Sequence, residues 1–140
     1  MANLTTVKAY IEGVDQAPRK VALVASLVRC RTVADALVIL NHVPKRAALP
    51  VIKAIESAKA NAINNHGIDG KTLIISTLSV TSGERLKRFI PASRGRALPF
   101  QKKTSNILVE VTGELKPKKV ASVEKSDKTT VKTTVKKEGK

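Results

Sequence analysis

Two stretches with strand-like alternation, Thr72–Arg88 and Ala97–Thr112, flank the turn-forming residues Phe89–Arg96. Runs of nearly equal length around such a loop describe a β-hairpin. Seventeen residues of strand span roughly 55 Å at about 3.3 Å each. A body built from the rest of a chain this size is only about 35 Å across, from a radius of gyration near 13 Å. Both strands cannot stay inside it, so the distal half is expected to project as an arm.

The residue pattern agrees. Near the base, Ile74, Leu78 and Val80 on the first run and Ile107, Val109 and Val111 on the second supply apolar faces, whereas Ser82–Gln101 has no clean apolar face. Arg85–Lys103 instead carries Arg85, Lys87, Arg88, Arg94, Arg96, Lys102 and Lys103, with no Asp or Glu. An isolated two-stranded ribbon is marginal in water. Something outside the chain must order it, and a polyanion is the natural candidate. The formal charge of +15 points the same way, through Coulomb attraction and counterion release. With 42% hydrophobic residues the chain can also build a core, so it is not simply a basic disordered peptide.

Ahead of the hairpin, Thr6–Ile11 has the alternation of a short strand, and Gly13–Gln16 is expected to turn. Pro18 suits a first helical position. That helix is expected to run to about Cys30, with Val21, Val24, Ala25 and Val28 inward and Arg29 and Arg31 in its last turn. Thr32 to Asp35 forms a T-x-x-D start signal for a second helix ending at about His42, with Val33, Ala36, Leu37 and Leu40 inward. Val43-Pro44 ends it. A third helix is expected from about Lys45 to Asn65. Pro50 either kinks its first turn or moves the regular helix to begin near Leu49. Its core face is assigned to Leu49, Ile52, Ile55, Ala58, Ala62 and Ile63, and Gly67 is placed to accept a positive φ at its end.

Residues 115–140 differ in kind. Nine Lys against Glu124, Asp127 and Glu138 leave this Lys/Thr-rich stretch at +6 and the remaining 1–114 at +9. It has too little apolar surface to offset chain entropy and is expected to be disordered.

Several function classes find no support. Two histidines, one cysteine and scattered carboxylates show no metal-ligand spacing, and Gly95 stands alone rather than in a phosphate-cradling glycine loop. No catalytic residues, metal or cofactor are expected. Cys30 allows no internal disulfide and suits a reducing compartment. No stretch approaches the roughly 18 apolar residues of a membrane span. Met1–Tyr10 has neither a secretory nor a transit pattern, so a cytoplasmic location is expected. Three aromatic residues and no Trp offer no base-stacking platform, leaving phosphate contact and shape recognition. Arg19-Lys20 and Lys45-Arg46 could each be a solvated helix face. Both, however, stand at helix starts, where an anion is favoured and could use free N–H groups and cations together. Asn61, Asn64 and Asn65 are either exposed cap residues or hydrogen-bonding groups for RNA sugar and phosphate. A DNA-bending architectural protein with basic β-arms is the alternative reading.

In order along residues 5–114, the chain carries Ala17-Pro18-Arg19-Lys20-Val21, then Glu56-Ser57-Ala58-Lys59-Ala60-Asn61-Ala62-Ile63-Asn64-Asn65-His66. Leu86-Lys87-Arg88 follows, then Pro91, Arg94-Gly95-Arg96-Ala97 and Lys102-Lys103-Thr104-Ser105. This ordered set resembles the universal family of large-subunit ribosomal protein twenty-two. The resemblance implies an α+β fold: three helices on a small antiparallel sheet, with a long protruding β-hairpin, here spanning about residues 80–105. It implies a non-enzymatic component of the large ribosomal subunit that binds ribosomal RNA and supports assembly. The hairpin tip, Phe89, Ile90, Pro91, Ala92, Ser93, Arg94, Gly95 and Arg96, would line the nascent-peptide exit tunnel. Implied partners are large-subunit ribosomal RNA, neighbouring large-subunit proteins and the nascent peptide, with one copy per ribosome rather than a homo-oligomer. The expected RNA-binding residues are Arg19, Lys20, Arg29, Arg31, Lys45, Arg46, Asn61, Asn64, Asn65, Arg85, Lys87, Arg88, Arg94, Gly95, Arg96, Lys102, Lys103, Thr104 and Ser105. The chain departs from the family pattern at Ala17, where a capping Ser is frequent, and at Ala22, where a basic residue is common. It departs also at Cys30, where Gly is usual, at Ala92, where a basic residue is typical, and at Asn106, where His is frequent.

Overall fold

The computed structural model describes residues 4–115; of the expected disordered tail, 115–140, Leu115 bridges to Ile68 and 116–140 lie outside the described residues. Seven elements follow in order: β1 (Leu4–Val14), α1 (Pro18–Ala25), α2 (Val33–His42), α3 (Ala48–His66), β2 (Ile74–Pro91), a short 3-10 turn (Ser93–Gly95) and β3 (Ala97–Glu114). The strands form one antiparallel sheet in the order β1-β3-β2, and the helices cover one face of it. The expected α+β fold is therefore present, three helices on a small antiparallel sheet with a long hairpin.

Local chemistry accounts for two helix boundaries directly. Thr32 Oγ1 accepts from the Asp35 N–H at 3.2 Å and donates to the Asp35 carboxylate at 2.7 Å, capping α2. Gly67 ends α3 in the left-handed region, φ 63°. Its N–H donates to the Ile63 carbonyl four residues back, the single bond of an αL stop, and the Ile68 N–H donates to the Ala62 carbonyl. Pro50 causes no break in α3. It stands at the third helical position, where a backbone N–H would have no intrahelical partner.

Other boundaries differ from expectation. α1 ends at Ala25 rather than near Cys30. Leu27 and Val28 donate to carbonyls only three residues back, tightening the chain into turns. Cys30 then takes φ 58°, a conformation easy for Gly and strained for other residues. Val28 stays buried, so the apolar periodicity outlasts the helix. β1 is longer than expected at both ends and absorbs Gly13, whose φ of 67° marks a bulge rather than a turn.

The core joins the sheet's inner face to the helices through Val7, Ala9, Val21, Val24, Val33, Leu40, Val51, Ile55, Ala58, Leu73, Ile75, Ile107, Val109 and Val111. Two expected core assignments are corrected. Leu49 is 62% exposed, because α3 turns its small residues, Ala48, Ala54, Ala58 and Ala62, to the body along with Val51 and Ile55. Ile74 is 47% exposed while Ile75 is buried. An irregularity between Ile75 and Thr77 shifts which residues face inward, as an extra residue must where the side-chain period is two.

Gly113 lies where the core meets the end of β3. A Cβ there would come within 2.6 Å of Ile68 Cγ2 and 2.9 Å of Leu73 Cδ2, and both partners are fully buried. Gly113→Ala is expected to cost about 1–3 kcal/mol by overpacking, read as a lower urea midpoint with unchanged slope.

Candidate nucleic-acid interface

Pairing between β1 and β3 runs from Leu4↔Glu114 to Val14↔Ser105 and stops there. β2 and β3 continue alone from Ser82↔Ser105 to Pro91↔Ala97. That two-stranded ribbon reaches about 30 Å beyond the three-stranded body at about 3.3 Å per residue. All seven cations between Arg85 and Lys103 are exposed along it. At the end, the Ala92 N–H donates to the Arg96 carbonyl at 2.8 Å, and Arg94 and Gly95 take φ of 57° and 68°. This reversal presents Arg94 and Arg96 on the outside of the tip. Phe89 is 71% exposed there; Ile90, Pro91 and Ser93 are exposed too, and Ala92 is half-buried.

Among the described residues the ion pairs are Lys8–Glu110 at 2.8 Å and Lys102–Asp15 at 3.0 Å. The bond from Lys8 holds the Glu110 carboxyl below its ordinary range, assisted by Thr77. Lys102 is the one arm cation with a carboxylate partner in these pairs. Both its members are about half exposed, and such pairs contribute little in water.

The body brings the remaining expected residues into groups that sequence order does not suggest. Lys20 from α1 joins Lys45 and Arg46 from the α2–α3 connection around a cleft of about 470 Å³, with Gln16, Leu23 and Ala47. Arg19, one residue earlier, lines a separate cleft of about 300 Å³ with Ala17, Pro18, Ser82, Arg85 and Lys103. Asn64 borders a shallow groove between α2 and α3 with Leu37, Glu56, Lys59, Ala60 and Ile63. Asn65 is exposed and Asn61 half-buried.

Several of the expected groups have structural engagements, among them Arg88, whose Nη1 donates to the Lys87 carbonyl at 3.3 Å. The Arg29 Nε donates to the Leu78 carbonyl at 3.0 Å, which ties the turn after α1 to β2 rather than completing a last helical turn. The Arg31 Nε donates to the Leu27 carbonyl at 3.0 Å. Thr104 Oγ1 donates to the Glu84 carbonyl at 2.7 Å. Ser105 is fully buried, so its side chain lies inside the body and offers nothing to a partner in this conformation. Of the departures noted, Ala17 leaves α1 without a side-chain cap. Asn106 has a local role, its Oδ1 accepting from the Gly13 N–H at 3.0 Å. Ser82 was not anticipated. Its place in the Arg19 cleft depends on an irregularity between Ser82 and Arg85, which no residue pattern announces.

No helix among the described residues is long and apolar enough to cross a membrane. Comparison with known proteins identifies this architecture. Residues 9–112 match the family model described as ribosomal protein L22p/L17e. The chain is 44% identical over 107 residues to the large ribosomal subunit protein uL22 of Mesoplasma florum, covering 76% of this chain and 96% of that protein. It is 46% identical over 95 residues to the protein of the same name from Metamycoplasma hominis, covering 68% and 74%. With a family match across most of its length and two relatives at this level of identity, the chain belongs to the ribosomal protein L22p/L17e family.

Proposed function

We propose that this protein binds large-subunit ribosomal RNA in the cytoplasmic ribosome, helps the subunit assemble, and lines the nascent-peptide exit tunnel with the tip Phe89–Arg96. As a member of its family it is a structural, non-enzymatic ribosomal protein. One observation supports the RNA reading above others: the ribbon, about 30 Å long, carries seven exposed cations between Arg85 and Lys103 with no acid among them, Glu84 at its root being its one carboxylate. Cations spaced along such a ribbon neutralise phosphates of RNA segments that would otherwise repel one another. The body supplies further cationic surface at Lys20, Lys45 and Arg46. Neighbouring large-subunit proteins and the nascent peptide complete the partner set, with one copy of the chain per ribosome.

The test is sedimentation of a cell lysate through a sucrose gradient. The protein is expected to travel with the large subunit and stay there through moderate salt. Recovery at the top of the gradient under both low and moderate salt would overturn the reading. So would purified protein that prefers duplex DNA to large-subunit RNA at matched salt.

A further inference from the structure

We propose that Arg19, Arg85 and Lys103 form a single composite site for one backbone phosphate of RNA, at the root of the arm, and that this phosphate clamps the arm to α1. The inference rests on the RNA-binding reading above and specifies the ligand of one part of it.

Three observations converge. First, Arg85 on β2 and Lys103 on β3 are register partners across the ribbon. Cβ atoms of directly opposed residues lie about 5 Å apart, and like charges in that relation repel. Neither residue is in the ion pairs found among the described residues. Second, the helix covering this end of the sheet brings a third cation to the same place: Arg19 lines the cleft with Arg85, Lys103 and the hydroxyl-bearing Ser82. Three cations from three elements thus surround about 300 Å³, roughly ten water volumes at about 30 Å³ each, enough for a tetrahedral anion with its hydration. Third, α1 starts beside the cleft without a side-chain cap. Pro18 has no N–H, and the N–H of Arg19 at the second helical position has no intrahelical partner. One anion there relieves the Arg85–Lys103 repulsion and takes up the helix-start donor.

The position gives the site its consequence. The irregularity between Ser82 and Arg85 on β2 and the one between Ile11 and Val14 on β1 both lie opposite the same stretch of β3, around Ser105. Beyond it β3 has lost its β1 partner, so the ribbon leaves the body at a place where ladder pairing is interrupted on both sides. A phosphate held jointly by α1 and both ribbon strands sets the angle at which the arm leaves the body. Arm direction is therefore coupled to RNA binding at its root as well as to contacts at its tip.

Counterion release distinguishes this site from three independent surface cations, because the salt slope of binding counts phosphates rather than side chains. The experiment measures affinity of the full chain for transcribed large-subunit RNA across a range of salt. The triple variant Arg19→Gln, Arg85→Gln, Lys103→Gln is expected to lower the slope of log K against log salt by about one. Three separate phosphates would lower it by about three, overturning the single-site proposal while leaving RNA binding intact. An unchanged slope would also overturn it, by showing that the cleft does not meet RNA. A wild-type chain with no salt-dependent binding would instead defeat the underlying RNA reading. The charge-keeping variant Arg85→Lys is expected to retain the wild-type slope. Circular dichroism of the free triple variant controls for folding, and relief of the cross-strand repulsion is expected to leave its melting temperature at or above that of the wild type in low salt. A fall in melting temperature there would assign the three residues a packing role and count against the site.

Discussion

Replacing Lys87, Arg88, Arg94 and Arg96 together by Gln is expected to weaken binding to large-subunit RNA by roughly a thousandfold at 0.1 M salt, with little change in the stability of the free protein. Each phosphate contact adds about 0.7–0.9 to the salt slope. Four lost contacts flatten it by about three, and lines that meet near 1 M salt stand about three decades apart at 0.1 M. Stability is spared because all four side chains are exposed on the ribbon and the tip, where substitutions stay within about 0.5 kcal/mol. The same logic applies to removing Leu86–Arg88, which should alter the arm and its RNA contacts without unfolding the helices. Filter binding over a salt series and thermal unfolding by circular dichroism read the two halves of the expectation. An undiminished slope would show that the arm does not meet phosphate. Loss of helical signal at room temperature would show that arm and body are not separable.

The opposite behaviour is expected of Ile107→Ala. Ile107 is fully buried on the central strand, with Ile11 of β1 on one side and Val80 of β2 on the other. Truncation leaves a cavity that neither neighbouring strand can close without breaking register, so a loss of about 2–5 kcal/mol is expected. A domain of this size has a total stability of about 5–15 kcal/mol, and the melting temperature should fall by about 10–20 °C. At temperatures where the variant remains folded, its salt slope for RNA should match the wild type, because no cation has moved. Melting within about 2 °C of the wild type would mean that Ile107 does not fill the core between β1 and β2.

Together the two substitutions divide the molecule into parts made by different forces. The body is a hydrophobic assembly, and β3 is its shared member: it is the middle strand of the sheet and then runs on into the ribbon. The ribbon has no such core. Its exposed apolar residues, Phe89, Ile90, Leu98 and Phe100, cluster toward the tip without covering one another from water. Charge rather than packing therefore dominates its composition.

Much of this architecture was legible in the residues themselves. Arm length followed from counting strand residues against the diameter of a small body, and its independence from the absence of any apolar face past Ser82. The Thr32 cap and the Gly67 stop are local chemistry, complete within four or five residues, so they could be read without knowing the fold. The Cys30 turn was hidden because Val28 keeps the helical period past the point where the helix has ended. The outward placement of Leu49 was hidden too. Periodicity defines a stripe on a helix, but the stripe that packs is chosen by the sheet it meets, and here α3 presents small alanines. The bulges that turn Ile74 outward and bring Ser82 to the Arg19 cleft leave no mark in composition.

What the sequence by itself determined, then, is the division into a packed body and a strongly cationic arm, because hydrophobic pattern and charge balance are additive along the chain. Which cations act together was decided only by tertiary structure. Arg19 and Lys20 are neighbours in sequence, yet they line different clefts, one with Arg85 and Lys103 and the other with Lys45 and Arg46. Successive residues on a helix point about 100° apart, and their partners are set by how α1 lies across the sheet.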